Sequence, residues 1–211
     1  MNQINYHKEL EKILQTLKEK TPKLFLHSCC APCSSYVLEY LCPYFDITVF
    51  YYNPNISASE EYRKRVAEQK RLIAAYNAEG KGKPISILEG DYQPSRFYEA
   101  VKGYEDCKEG GERCFRCFDL RLRETALQAK KAGYDYFGTT LTISPLKNAV
   151  KLNEIGQTLA GEYGVLWLPS DFKKRGGYKR SVELSAQYEL YRQDFCGCSF
   201  SKAERVLHSK A

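Results

Sequence analysis

Five short apolar runs, at 24–27, 47–52, 85–88, 134–137 and 165–168, are separated by stretches whose apolar residues recur at helical spacing. Strands joined by helices of this length need crossover connections, so the pattern predicts an α/β fold, a parallel sheet flanked by helices on both faces. Leu10, Ile13, Leu14 and Leu17 mark a first helix closed by Pro22. Ser57 with Glu60 reads as a capping box for a helix that buries Tyr62, Val66, Gln69, Ile73 and Tyr76. Further helices are expected around 116–131 and 148–162, and Leu184, Tyr188 and Tyr191 mark a last one. A chain of 211 residues is the size of one such domain, expected here over 1–211. Reactive groups in parallel sheets lie beyond the carboxyl ends of the strands.

That position, after the first run, is taken by cysteines. Seven of the nine cysteines fall into three groups: Cys29, Cys30 and Cys33; Cys114 and Cys117; Cys196 and Cys198. No apolar run has the length of a signal peptide or membrane span, which predicts a soluble cytoplasmic protein with no membrane partner. Thiols stay reduced there, and an odd total with adjacent cysteines suits disulfide stapling poorly. Metal ligation or redox chemistry is the expectation.

Cys114 and Cys117 lie three apart at a helix start, so both sulfurs face one side. Cys29 and Cys30 bring the total to four thiolates, the number a four-iron cluster takes. Adjacent cysteines suit the separate corners of a cube better than one zinc ion. Cys196-Gly197-Cys198 could open and close as a redox pair, or supply two more ligands. Cys33, at the start of the next helix, reads equally as a ligand of a second metal or a structural residue. Cys42 reads as a small buried hydrophobe, and Cys107 as accessory. His27 could supply a proton or serve structure. Asp91, Asp119 and Asp171 could each complete a metal site or act as an acid, or simply be solvated carboxylates or helix-start residues.

Charge decides little. With 32 Lys plus Arg against 26 Asp plus Glu the net charge is +6, which permits a polyanionic partner without requiring one. The basic stretch 173–180, with Tyr178, is of a kind that meets phosphates and stacks on bases, and is equally a solvated loop. The strand, loop and helix order is that of ATP-pyrophosphatase domains, yet the loop over 28–34 has no glycine to cradle phosphate. Cysteines stand in its place.

Five ordered motifs carry a resemblance over nearly the whole chain: LHSCCAPCS at 26–34, YNPNI at 52–56, GGERCFRC at 110–117, TTLTISP at 139–145 and YRQDFCGC at 191–198. Together they resemble the QueH-type epoxyqueuosine reductases. The resemblance implies an adenine-nucleotide alpha-hydrolase (PP-loop-like) fold whose phosphate loop is replaced by a cysteine loop. It also implies reduction of the epoxide of epoxyqueuosine to queuosine at the tRNA wobble position, with the substrate in the anticodon loop. By that resemblance Cys29, Cys30, Cys114 and Cys117 hold a [4Fe-4S] cluster, and Cys196 and Cys198 form the redox-active pair. A second, mononuclear iron with cysteine and aspartate ligands and an unidentified electron donor are implied as well. Cys107 departs from the usual family loop. The residues alone leave two other readings open, a zinc-bearing RNA-binding module and a thiol-disulfide oxidoreductase.

Overall fold

A computed structural model describes residues 4–17 and 21–208. The link between the first helix and Pro22 lies partly outside the described residues. Five parallel strands, β1 (Lys23–His27), β2 (Asp46–Tyr51), β3 (Ser86–Glu89), β4 (Tyr136–Thr139) and β5 (Leu166–Trp167), stand in the order β3-β2-β1-β4-β5. β1 is therefore central, with His27 in register with Phe50 on one side and Thr139 on the other.

Alternation of side chains across the sheet builds two cores. Leu24, Leu26, Ile47 and Val49 face α1 (Tyr6–Thr16), α2 (Ala31–Leu41) and α3 (Ser59–Ala78). Phe25, Phe50 and Phe137 face α5 (Glu112–Lys131) and α6 (Ala149–Tyr163). A short helix α4 (Pro94–Ala100) precedes α5, and α7 (Gly177–Gln187) lies against α2. No described helix is long and apolar enough to cross a membrane.

Trp167 fixes how closely α6 approaches this sheet. Its indole lies over Gly156, where a Cβ would stand 2.2 Å from the ring, and its Nε1 donates to Asn153 Oδ1 at 3.0 Å. Gly156→Ala should therefore cost at least about 2 kcal/mol through overpacking, read as a lower urea midpoint. An unchanged midpoint would mean that this contact does not limit the fold.

Three local expectations are corrected. Ser57 does not cap: α3 starts two residues later with Ala58 at the N-cap, and Ser57 Oγ instead accepts Ser199 N at 2.9 Å and the Tyr98 hydroxyl at 3.1 Å. The fourth strand starts at Tyr136, because Tyr134 turns to donate to Thr48 Oγ1 and pack on Phe25. The last predicted helix stops at Gln187, and Glu189 takes the left-handed conformation with φ 49°. Tyr188 and Tyr191 belong to an irregular segment clamped by α3: Arg71 donates to the carbonyls of Tyr188 and Glu189, and Glu68 accepts Tyr191 N at 2.7 Å. A further helix, α8 (Ser199–His208), follows the last cysteine.

Candidate metal and redox site

Beyond His27 the chain turns through Ser28–Cys30 and enters α2. Asn53 Nδ2 donates to Ser28 O at 2.8 Å, and the hydroxyls of Ser28 and Ser34 both donate to Gln69 Oε1. His27 is fully buried, its Nε2 3.1 Å from Tyr52 O and its Nδ1 3.0 Å from Thr139 Oγ1. A carbonyl only accepts, which assigns the proton to Nε2. Burial, reinforced by Arg121, lowers its pKa to about 3, so His27 is a neutral structural brace between three strands.

Cys30 is the N-cap of α2, with Pro32 in the first turn. The sulfurs of Cys29, Cys30 and Cys33 all lie within 4.8 Å of one another, Cys29 and Cys30 being 3.6 Å apart. Burial opposes a charge on Cys30, but the Cys29 and Cys33 thiols and Gln193 donate to it and hold it well below the thiol range. The same contacts act in reverse on the donors. The hydrogen bond to Cys30 pushes Cys29 up to about 11, and hydrogen bonds to Cys29 and Cys30 raise Cys33. Three sulfurs thus hydrogen-bond to one another about Cys30, the arrangement a cation would complete by releasing their protons.

The other cysteines form an adjoining wall. Cys114 and Cys117 open α5, with Gly110 N donating to Cys114 Sγ at 3.2 Å. Burial pushes Cys117 up to about 12. They line a small enclosed pocket together with Cys196 and Cys198. Gly197 has φ 127°, and a Cβ there would stand 2.9 Å from Ile56 Cγ1, so glycine is required between the two sulfurs. Cys29, Cys33 and Cys196 line a separate open cavity of about 200 Å³.

Arg121 stands at both cavities. It is 1% exposed, and no carboxylate lies within ion-pair distance of it among the described residues. Nε donates to Cys117 O at 3.2 Å, Nη1 approaches Asn53 Oδ1 at 3.4 Å, and Nη2 is buried without a partner. Burial works against its charge, and Cys117, Cys196, Cys29 and Cys114, once they are thiolates, outweigh it and raise its pKa above the ordinary arginine value. A buried cation with a free N–H requires an anion. Thiolates carrying a metal cluster supply one, so this donor set fits an iron–sulfur group.

Of the four predicted cluster ligands, Cys29 and Cys30 come together with Cys33, while Cys114 and Cys117 lie outside that tight group but meet the same arginine. Cys107 lines neither cavity, and Cys42 is buried against Lys81 O. Asp119 pairs with Arg123, Asp171 with Lys173, and Asp91 is exposed. In the basic stretch Lys173, Arg175 and Arg180 are matched by Asp171, Glu11 and Glu39, and only Tyr178 reaches the cavity. Arg121 was missed in the sequence, although it follows Cys117 by one helical turn on the same face. Lys147, just after the 139–145 motif, also lines the cavity.

The family model described as Epoxyqueuosine reductase QueH matches residues 24–204. The chain belongs to the QueH family. Proteins named Epoxyqueuosine reductase QueH share 43% identity over 211 residues in Staphylococcus aureus, covering 98% of this chain and 88% of that one. The relative from Streptococcus pyogenes is 42% identical over 94% of this chain and 78% of its own, and that from Thermotoga maritima 37% identical over 86% and 91%. Among solved structures, the U34-tRNA thiolase NcsA from Methanococcus maripaludis with its [4Fe-4S] cluster superposes with a TM-score of 0.55. That match covers 96% of this chain and 73% of NcsA at 15% identity, and it bears out the PP-loop-like fold expected for a QueH protein.

Proposed function

We propose that this protein is an iron–sulfur epoxyqueuosine reductase that deoxygenates the epoxide of epoxyqueuosine in the anticodon loop of tRNA. Membership of the QueH family supports the reaction. The observation that carries the chemistry is the buried Arg121, which meets no carboxylate among the described residues and faces cysteines from all three groups.

In this reading Cys29, Cys30, Cys114 and Cys117 hold a [4Fe-4S] cluster, and Cys33 is the thiol left for a second, mononuclear iron. When bound, such a group supplies electrons singly and a Lewis-acidic metal. The chain's own residues do the rest. Converting an epoxide to an alkene takes up two electrons and two protons and releases water. Closing the Cys196/Cys198 dithiol to a disulfide gives up two of each, so the pair balances one turnover and an external reductant restores it. Cys29, Cys33 and Cys196 line the cavity that would admit the modified base, with Tyr178 and Phe195 as its aromatic wall. A base in a single-stranded loop can be splayed into such a pocket and stacked there, and Arg192 and Arg205 at the same cavity would meet phosphates.

The decisive experiment is mass analysis of nucleosides from epoxyqueuosine-containing tRNA after incubation with anaerobically purified protein and dithionite. Queuosine should appear and epoxyqueuosine disappear. A colourless, zinc-bearing protein that leaves the epoxide intact would favour the RNA-binding module, and activity that survives iron removal would favour a thiol-disulfide enzyme.

A further inference from the structure

The two sulfurs at 196 and 198 are held in different ways. Lys147 reaches in from the loop before α6, and its Nζ lies 3.2 Å from Cys196 Sγ. The side chain is only 10% exposed, and Glu109, at 3.7 Å, is farther from the ammonium than the sulfur is. Burial works against this charge, yet Cys196, with help from Glu109, raises the pKa above the ordinary lysine value.

Glu109 also accepts the Ser201 hydroxyl at 2.8 Å, and Ser201 touches both halves of the pair. Its Oγ accepts Cys196 N at 3.1 Å, while its own N donates to Cys198 Sγ at 3.3 Å. One short chain of contacts therefore runs from Lys147 through Glu109 and Ser201 and returns to the Cys196-Gly197-Cys198 loop. Its outcome is unequal: Cys196 lines the open cavity beside Cys29 and Cys33, whereas Cys198 is 7% exposed and lines instead a different groove, beside Ser57 and Lys64. Burial pushes Cys198 up to about 11.

Closing a dithiol removes one proton and one electron from each sulfur and forms one S–S bond, and the sulfur that reacts first is the one that is accessible and has a cation beside it. An ammonium donating to one sulfur alone makes that choice. We propose that Lys147, placed by Glu109 and Ser201, is the positioning residue that makes Cys196 the reactive sulfur, presented to the cavity, and leaves Cys198 as its buried resolving partner. This inference rests on the reading of Cys196 and Cys198 as a redox pair.

The test is alkylation of the iron-loaded, anaerobic full chain by iodoacetamide at neutral pH, with the modified sulfur located by fragment mass spectrometry. Cys196 should react roughly tenfold faster than Cys198. Lys147→Met should slow Cys196 by about tenfold, and Lys147→Arg should recover most of that rate because it restores the cation. Wild-type modification led by Cys198, a Met variant as fast as wild type, or an Arg variant no better than Met would each overturn the proposal. Should Lys147→Met lose its iron, Lys147→Gln replaces it, and the wild-type order of reaction still decides. An active variant with unchanged alkylation would remove the role of Lys147 and leave the reductase standing. Wild-type protein that fails to convert epoxyqueuosine would remove the reductase and leave the alkylation order untouched.

Discussion

Cys29→Ser or Cys114→Ser protein, purified without oxygen, should retain far less iron than wild type and lose its visible absorption. A hydroxyl at either position is a much poorer partner for iron than a thiolate. Even losing a residue that only orients a metal ligand costs 10–100-fold in affinity or activity, so deleting a ligand itself should lower epoxyqueuosine reduction by more than about 100-fold. The contrast lies in Cys198→Ser. That sulfur shares the small pocket with Cys114 and Cys117 but belongs to the proposed redox pair, so iron content should hold while turnover falls. Iron analysis and absorption spectra separate the two classes before any activity is measured. Full iron in Cys114→Ser, or iron lost from Cys198→Ser as completely as from Cys29→Ser, would redraw the ligand set.

The sheet was legible because its signal is local and strong. Leu24, Leu26, Ile47 and Val49 are apolar in the order that parallel, doubly covered strands demand, and both β1 and β2 stand where that order puts them. The cysteine loop was legible for the same reason, since it follows β1 directly. What failed depended on partners far away in sequence. Ser57 has the right neighbour for a capping box, but Ser199 N competes for its hydroxyl and wins. Tyr188 and Tyr191 keep helical spacing with Leu184, yet Glu68 and Arg71 of α3 bind their backbone and hold the segment open. The irregular path leads to the loop whose Cys196 lines both the open cavity and the small pocket. Arg121 was hidden for another reason: a single arginine on a helix rich in charge looks like surface, and only its burial shows otherwise.

Arg121→Gln should weaken the metal-loaded protein while leaving the stripped protein at least as stable as wild type. In chelator-stripped protein the guanidinium is a buried charge with one unpartnered N–H and, among the described residues, no carboxylate, and holding such a charge away from water costs several kcal/mol. Glutamine removes the charge, keeps amide hydrogens for Asn53 Oδ1 and Cys117 O, and should leave the stripped protein as stable as wild type or stabilise it by about 1–3 kcal/mol. In the iron-loaded protein the same cation offsets the negative charge of thiolates and cluster, a charge that grows by one with each electron accepted. Its loss should therefore lower iron retention, shift the reduction potential of the bound group downward and cut turnover by roughly tenfold or more. Urea titrations of stripped and loaded protein, with a potentiometric titration of the loaded form, read all three effects. If the variant destabilises both forms alike, Arg121 is an ordinary packing residue of α5. Stability held or raised in the stripped form and lowered in the loaded one would mark a charge that the sequence places in the interior for the sake of an anion bound there.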